Sequence, residues 1–270
     1  MTSTINIKKK LKDALYFSLG LILLVVIYII FQKSKNNDLL FPSINDILKE
    51  LINNFTSISF YQSLLYTLLE LIIVIIISFI TSLILAVISY KLNQIYKILK
   101  PIMSILRSIP IIILILIVML YAKLKITPYI VSIMVLIPNI YIGIYQGLIN
   151  MNKDLIDVYR INSNTTLKVI FKVYIPLTYG YSKTVFTNAL SLALKILISS
   201  EYIVGSKYGI GNLIINSIRN IEYDKLFSYT IILLILTLIL EFIPDLLSLL
   251  IRKVTYKITL KNIKSLNLKN

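Results

Sequence analysis

Long apolar runs separated by short polar segments dominate the chain. Six of these runs hold about twenty residues each, and they cover roughly residues 14–31, 64–88, 102–121, 129–149, 182–200 and 229–251. A helix of about twenty residues crosses a hydrocarbon core about 30 Å thick. The pattern therefore predicts an all-α fold, a polytopic membrane protein whose six transmembrane helices form a single domain over residues 14–251.

The first run follows a basic segment that contains Lys8, Lys9, Lys10 and Lys12. This run is longer than the apolar core of a usual signal peptide, and no A-x-A-like cleavage site follows it. We therefore expect a retained first span, preceded by a tail at residues 1–13.

Positive charge is distributed unevenly between the two sides that this layout defines. With the N-terminus inside, eighteen Lys and Arg residues fall on the inner loops and tails, and eight fall on the outer loops. Because Lys and Arg near short loops are retained in the cytoplasm, both termini are predicted to be cytoplasmic, including the basic tail at residues 252–270. The net charge of +16 is spread over short segments that face the membrane surface, so no nucleic-acid partner is expected.

The composition excludes thiolate and imidazole chemistry. The chain has no Cys and no His, which leaves carboxylate and carbonyl oxygens as metal ligands. It also has no G-x-x-x-x-G-K-[ST] phosphate loop. We therefore predict a non-enzymatic chain with no catalytic residue, no metal site and no bound cofactor.

The longest outer segment, residues 32–60, carries another helical pattern. After Phe41-Pro42-Ser43, apolar residues recur at helical spacing, and Ser43 is suited to be the N-cap. These apolar residues are Ile44, Ile47, Leu48, Leu51 and Ile52. The pattern fits an interfacial helix on the outer surface and a packed loop helix equally well.

The polar segment between the fourth and fifth runs predicts two short helices. Asp154 and Asp157 lie where carboxylates favour a helix start, and Ser163-Asn164-Thr165 ends that helix and caps the next. The second helix has an apolar ridge beside a basic face that carries Lys168 and Lys172. The ridge consists of Leu167, Ile170, Phe171 and Tyr174. It suits a groove on a partner protein, whereas a solvated basic loop that only sets the topology is the alternative.

This segment resembles the cytoplasmic EAA loop of binding-protein-dependent ABC permeases. The family pattern is matched by Asp157-Val158-Tyr159, by Ser163 and by Ile175-Pro176. In that family the loop docks the ATPase, so the resemblance implies a coupling loop at residues 150–181. The residues that it assigns to ATPase coupling are Asp154, Asp157, Val158, Tyr159, Ser163, Asn164, Leu167, Ile170 and Pro176.

Further segments extend the resemblance over residues 40–251. Phe41-Pro42-Ser43 is similar to the outer segment of permeases of the nitrate, sulfonate and taurine type, and Leu106-Arg107-Ser108-Ile109-Pro110 is similar to the start of their third span. Residues 200–205 and 209–211 resemble their Ala-Glu-x-x-Gly and Gly-x-Gly segments. The resemblance implies a type I ABC importer permease of MetI-like architecture.

Within the loop, the chain departs from the family pattern. Asp157 replaces the family Glu, Val158 and Tyr159 replace two Ala residues, and Ser163 replaces the Gly of the turn. Ser makes such a turn less freely than Gly does. We therefore expect the docking role to carry over better than any individual contact.

The resemblance also implies a function and a set of partners. The chain would be the permease subunit of an ATP-driven importer in the bacterial inner or plasma membrane, with a translocation path for a small anionic or sulfonate-like solute. An extracytoplasmic solute-binding protein would deliver the solute. A dimer of ABC ATPase subunits would bind ATP and Mg, and a second copy of this chain would complete a homodimer.

Several ionisable residues lie inside or beside the predicted spans, where charge is costly to bury unless a partner or a water-filled path is present. They are Glu70, Arg107, Lys195, Glu201, Glu241 and Asp245. We take Arg107, Lys195 and Glu201 as candidates for the translocation path, because the two cations would attract an anionic solute. The alternatives are ion pairing or snorkelling of the cations, and a role for Glu201 in ordering the turn at residues 205–211.

The residues alone also allow a function of a different class. An ion-coupled secondary transporter or channel would need no ATPase, and it would use Glu70, Glu241 or Asp245 for ion or proton coupling. This alternative predicts transport by the isolated chain in response to an ion gradient.

Overall fold

The computed structural model describes residues 2–35, 37–150 and 179–267. These residues form nine α-helices and no strand, which agrees with the predicted all-α fold. The helices are α1 (Thr2–Lys35), α2 (Ile44–Thr56), α3 (Ile58–Lys91), α4 (Asn93–Ser108), α5 (Ile111–Tyr121), α6 (Thr127–Ile149), α7 (Tyr179–Val204), α8 (Ile210–Arg219) and α9 (Tyr223–Asn267).

Four helical segments in the described residues are long and apolar enough to cross a membrane. They are Ser18–Lys35, Ile58–Lys91, Thr127–Ile149 and Tyr223–Pro244, and the broken pair α4 and α5 is a fifth candidate. The predicted fifth run lies in α7, which contains Lys183, Lys195 and Glu201 and is not among these candidates. The structure thus supports four or five spans in the described residues, and the count of six stays a prediction.

The third run is not one continuous span. The apolar run at residues 102–121 predicts one helix, and the proline inside it, Pro110, predicts a kink. The structure instead ends α4 at Ser108 and begins α5 at Ile111, and the two helices are bent by 100°. Ile109 is extended (φ −71°, ψ 127°) because the proline that follows disfavours helical backbone, and Pro110 is the N-cap of α5. With eleven residues, α5 is only about 16 Å long, which is half of a bilayer core.

The chain divides into two compact units. The first comprises Met1–Thr56 and Ser217–Thr230. Within it, the Tyr28 hydroxyl donates to the Pro42 carbonyl at 2.7 Å, and the Asn54 amide donates to the Ser228 hydroxyl at 2.9 Å. Asn54 and Ser228 are both buried, so this bond satisfies two polar groups inside the unit.

Helix α2 begins as the sequence predicts. The Ser43 hydroxyl accepts a hydrogen bond from the Asp46 backbone N–H at 3.2 Å, which confirms Ser43 as the N-cap. Ile47 is buried, whereas Leu48 and Ile52 are exposed. Because its apolar residues are divided between burial and exposure, the structure fits an interfacial helix and a packed loop helix equally well.

The second unit comprises Ser57–Asn216 and Ile231–Asn270, and its core lies among α3, α6 and α7. Large buried side chains such as Leu136, Ile140 and Leu194 pack there beside the small residues Ala86 and Ala193. Small residues allow close approach of helix backbones, and polar side chains then join the helices. The Ser82 hydroxyl donates to the Ile137 carbonyl at 3.0 Å, and the Tyr141 hydroxyl donates to Ser89 at 2.9 Å.

Gly143 on α6 marks a particularly close approach to α7. A Cβ atom at this position would clash with Val185 Cγ2 and would lie 3.1 Å from Val185 Cγ1. We expect Gly143→Ala to lower the free energy of unfolding by about 1–3 kcal/mol, because the β-branched Val185 has little rotamer freedom with which to move away. The thermal unfolding midpoint in detergent measures this effect.

The double variant Gly143→Ala with Val185→Ala controls for the cause, because it removes both clashing methyl groups. It should recover part of the loss caused by Gly143→Ala. An unchanged midpoint for Gly143→Ala, or no recovery in the double variant, would show that this contact does not limit helix packing.

Candidate functional site

A buried carboxylate organises the segment that joins α7 to α8. Glu201 lies near the end of α7 with 0% exposure. Its Oε2 atom accepts a hydrogen bond from the Gly211 backbone N–H at 2.7 Å, and its Oε1 atom accepts one from the Thr67 hydroxyl at 2.8 Å. The Thr67 oxygen in turn accepts a hydrogen bond from the Ile210 backbone N–H at 2.9 Å. We call these four residues, Thr67, Glu201, Ile210 and Gly211, the Glu201 cluster.

The end of α7 has the hydrogen bonds of a Schellman motif. The Ser206 N–H donates to the Glu201 carbonyl at 2.9 Å, and the Gly205 N–H donates to the Tyr202 carbonyl at 3.2 Å. Gly205 has φ +66°, the left-handed conformation that this motif requires and that glycine adopts without steric cost. The chain therefore turns sharply after α7 and returns α8 to the Glu201 carboxylate.

Gly209 allows the carboxylate to approach the backbone of the turn. It has φ +95°, and a Cβ atom there would lie 2.5 Å from the carboxyl carbon and both carboxyl oxygens of Glu201. The Gly-x-Gly segment thus has a steric function around Glu201. Of the two roles considered for Glu201, its hydrogen bonds show the ordering of the turn, and its role on the translocation path stays a prediction.

Glu70 is a second buried carboxyl, one helical turn after Thr67 on α3. It is 1% exposed, and it interacts with the side chains of Tyr66, Tyr129 and Glu201. Its Oε2 atom has no hydrogen bond from any described residue. Glu70 is therefore an ionisable group inside a membrane span that lacks a cationic partner among the ion pairs of the described residues.

Arg107 lies on α4 and lines a cavity of about 490 Å³ with residues of α4 and α6. Aromatic, basic and amide side chains face this cavity: Tyr96, Lys100, Tyr141, Tyr145 and Gln146. Arg107 itself is exposed, and no described residue forms an ion pair with it. The predicted alternative of pairing with Glu70, Glu201 or Glu241 is thus not found for Arg107 in the described part of the chain.

Lys195 has a different environment from Arg107. It is exposed on α7 and lines a smaller cavity of about 220 Å³ together with Ser199 and Thr237. No ion pair joins it to a described acidic residue, and Glu241 instead accepts a hydrogen bond from Ser191 at 3.1 Å. The three path candidates, Arg107, Lys195 and Glu201, therefore do not share one cavity.

The residues assigned to ATPase coupling lie outside the described residues. This applies to Asp154, Asp157, Val158, Tyr159, Ser163, Asn164, Leu167, Ile170 and Pro176. The coupling loop at residues 150–181 therefore stays a prediction from the resemblance. The side chain of Asp245 is not described either, so its role in ion or proton coupling under the alternative function also stays a prediction.

Sequence reasoning did not identify Thr67 or the tyrosines beside Arg107. Thr67 is 134 residues from Glu201 in the chain, so no local motif connects them. The sequence signal is weak: Thr67 and Glu70 are polar residues three positions apart in a mainly apolar run that also contains other hydroxyl residues. Tyr96 and Tyr145 lie on separate helices, and nothing in their sequence neighbourhoods pairs them.

The four or five candidate spans among the described residues define a polytopic α-helical membrane protein. Residues 82–253 match the family described as "Binding-protein-dependent transport system inner membrane component". This match covers well over half of the chain, so the chain belongs to that family and is a permease component of an ABC importer. A comparison with curated proteins finds no match.

The fold is also similar to a solved structure. The chain aligns with one described as "Inward facing conformations of the MetNI methionine ABC transporter: CY5 native crystal form", with a TM-score of 0.57 and 17% sequence identity. The alignment covers 71% of this chain and 97% of that chain. At this identity the similarity shows a shared MetI-like fold, as the resemblance implied.

Proposed function

We propose that this chain forms the translocation path of an ATP-driven importer for a small anionic solute, such as a carboxylate or a sulfonate. The observation that carries the proposal is the family match over residues 82–253, which includes the segment that resembles the EAA loop. Arg107 supports the anionic class of solute, because it lines a cavity with Lys100 and has no ion pair among the described residues. Nitrate, sulfonate and taurine transporters are the type that the sequence resembles.

An importer of this kind needs several partner proteins. Residues 154–176 dock a dimer of ABC ATPase subunits, which carry ATP and Mg. A second copy of this chain completes the path as a homodimer, and an extracytoplasmic solute-binding protein delivers the solute. Both termini are cytoplasmic and α7 provides a further span, so that six helices cross the membrane.

The test is co-purification of the tagged chain from its native membrane, followed by mass spectrometry of the proteins recovered with it. We expect an ATPase subunit with the wild-type chain and a loss of about tenfold or more with Leu167→Glu, because a charge on the apolar ridge must be desolvated in the partner's groove. Lys172→Gln is the matched control, since it changes the net charge by the same amount on the polar face.

The same variants also predict a change in coupling. With Leu167→Glu, solute uptake should fall along with the amount of ATPase recovered, and any ATPase activity that remains should no longer depend on this chain, while the chain should keep its elution volume on size exclusion. Normal uptake by Leu167→Glu, or equal losses with Lys172→Gln, would contradict a docking role for the ridge.

A second candidate function, the ion-coupled secondary transporter, is favoured by one observation. Glu70 is buried in a membrane span and its Oε2 atom is without a hydrogen bond among the described residues, as expected of an ion- or proton-binding carboxyl. This function requires that the purified chain alone transports solute into liposomes under a proton or sodium gradient, and that Glu70→Gln abolishes this transport. Recovery of the wild-type chain without an ATPase, together with such transport, would replace the importer proposal.

A further inference from the structure

The cavity beside Arg107 has an ordered aromatic wall. The rings of Tyr96 on α4 and Tyr145 on α6 are stacked with centroids 4.4 Å apart and an interplanar angle of 12°. Tyr141 continues the stack, with its centroid 6.0 Å from that of Tyr145 and an angle of 16°. Because Tyr141 is buried and its hydroxyl is hydrogen-bonded to Ser89, this end of the stack is fixed. The cavity therefore has a preformed surface for a planar or apolar group.

Two basic residues line the same cavity, and neither forms an ion pair with a described residue. Lys100 and Arg107 line it, and Lys100 Nζ lies 5.9 Å from the centroid of the Tyr96 ring. The sequence contains no Asp or Glu between Glu70 and Asp154, so neither α4 nor α6 can supply an anionic partner. Two cations on one wall of a membrane protein repel each other and favour a ligand that neutralises them.

Neutral hydrogen-bonding groups accompany the charges. Gln146, Ser104 and Ser108 line the cavity together with Arg107. A guanidinium group donates two parallel hydrogen bonds to a planar oxyanion, and amide and hydroxyl groups can donate to the oxygens that remain. A volume of about 490 Å³ is within the range of small-molecule sites.

We propose that this cavity binds an organic oxyanion, a carboxylate or sulfonate joined to a planar or apolar body. The oxyanion lies between Arg107 and Lys100, and its body packs on the stack of Tyr96, Tyr145 and Tyr141. As a solute site it deepens the proposed function, on which it rests, by giving the class of solute and the residues that select it. The same oxyanion chemistry is present in the phosphate of an anionic lipid headgroup, and the experiment distinguishes these two sources.

The probe is benzenesulfonate, whose binding to the full-length chain is measured by equilibrium dialysis in nanodiscs of phosphatidylcholine without ATP. We expect saturable binding that Arg107→Gln and Lys100→Gln each weaken by about tenfold or more, because each removes a charge-assisted contact. Lys97→Gln is the matched control, since Lys97 is an exposed residue of α4 that does not line the cavity. It should change the dissociation constant less than about twofold, by screening of an exposed charge.

A second variant tests the aromatic wall. Tyr145→Leu removes the middle ring of the stack. It should therefore weaken the binding of benzenesulfonate several-fold more than the binding of methanesulfonate, which has no ring to stack. Each variant is compared with the wild type by size exclusion and thermal midpoint, so that a misfolded variant is not counted as a loss of binding.

Nanodiscs that contain phosphatidylglycerol identify the source of the oxyanion. If phosphatidylglycerol displaces benzenesulfonate from the wild-type chain, the oxyanion site holds a lipid headgroup, and if it does not, the site holds a solute. Absence of saturable binding to the wild-type chain, or an equal loss with Lys97→Gln, would overturn the site. Because the measurement involves neither ATPase nor ATP, such a failure would leave the ATPase co-purification result standing, and the reverse is equally true.

Discussion

Replacing Gly211 with alanine is expected to lower the free energy of unfolding by about 3 kcal/mol or more, because the new methyl group has no space in a closely packed core. The added Cβ would clash with Glu201 Cβ, and it would lie 2.7 Å from the Tyr202 backbone nitrogen and 2.8 Å from the Ile198 carbonyl oxygen. The last two atoms belong to the backbone of α7 and cannot rotate away. The start of α8 must therefore move, and the hydrogen bond from Gly211 to Glu201 is lost.

The thermal unfolding midpoint in detergent is the measurement for this variant, and two other glycines provide controls. Gly205→Ala meets nothing within 4 Å but keeps φ +66°, so it should cost only about 1 kcal/mol. Gly20→Ala meets nothing within 4 Å on α1, so it should be neutral or slightly stabilising. A midpoint for Gly211→Ala equal to that of Gly205→Ala would show that α8 adjusts without strain.

Thr67→Val should be the second most damaging change, lowering the free energy of unfolding by about 2–4 kcal/mol. Valine has nearly the shape of threonine but no hydroxyl, so the Ile210 N–H loses its acceptor and Glu201 Oε1 loses its donor. Both groups are buried, and each unsatisfied buried polar group costs about 1–3 kcal/mol. The expected loss comes from these two groups rather than from a change of volume.

Matched variants on the same helix separate this cause from a general effect of the substitution. Thr81 is also on α3, and its hydroxyl donates only to the Ile77 carbonyl of the same helix, so Thr81→Val should cost less than about 1 kcal/mol. Thr67→Ser keeps the hydroxyl and should recover most of the stability lost in Thr67→Val. If Thr67→Val and Thr81→Val have the same midpoint, the hydrogen bonds of the Glu201 cluster contribute little to stability.

The apolar periodicity predicts much of this fold because a membrane-spanning helix satisfies its own backbone and needs mainly length and apolar side chains. It predicts the all-α class, the N-cap at Ser43 and a disturbance at Pro110. It does not predict that the disturbance is a bend of 100°, because the angle depends on how α4 and α5 pack against α6. Nor does hydropathy describe α7 well, since this helix carries many polar residues beside buried positions such as Ala193 and Leu197.

The candidate sites were less predictable than the helices. The family motif marks Glu201 and its glycines, and the structure adds the reason, which is a carboxylate that meets the backbone of the turn. Thr67 depends on a contact between distant parts of the chain that no local pattern encodes. The oxyanion cavity likewise depends on the packing of α4 against α6, and only the lack of acidic residues between Glu70 and Asp154 is visible in the sequence.

The Glu201 cluster has a mechanical consequence for a protein that must change shape during each transport cycle. Its hydrogen bonds connect α3, the end of α7 and the start of α8. Breaking any of them would leave a buried polar group without a hydrogen-bond partner. These three segments are therefore expected to move as one rigid body. The hinge is then expected at a point without a continuous helical hydrogen-bond ladder, and the break at Ile109-Pro110 between α4 and α5 is such a point.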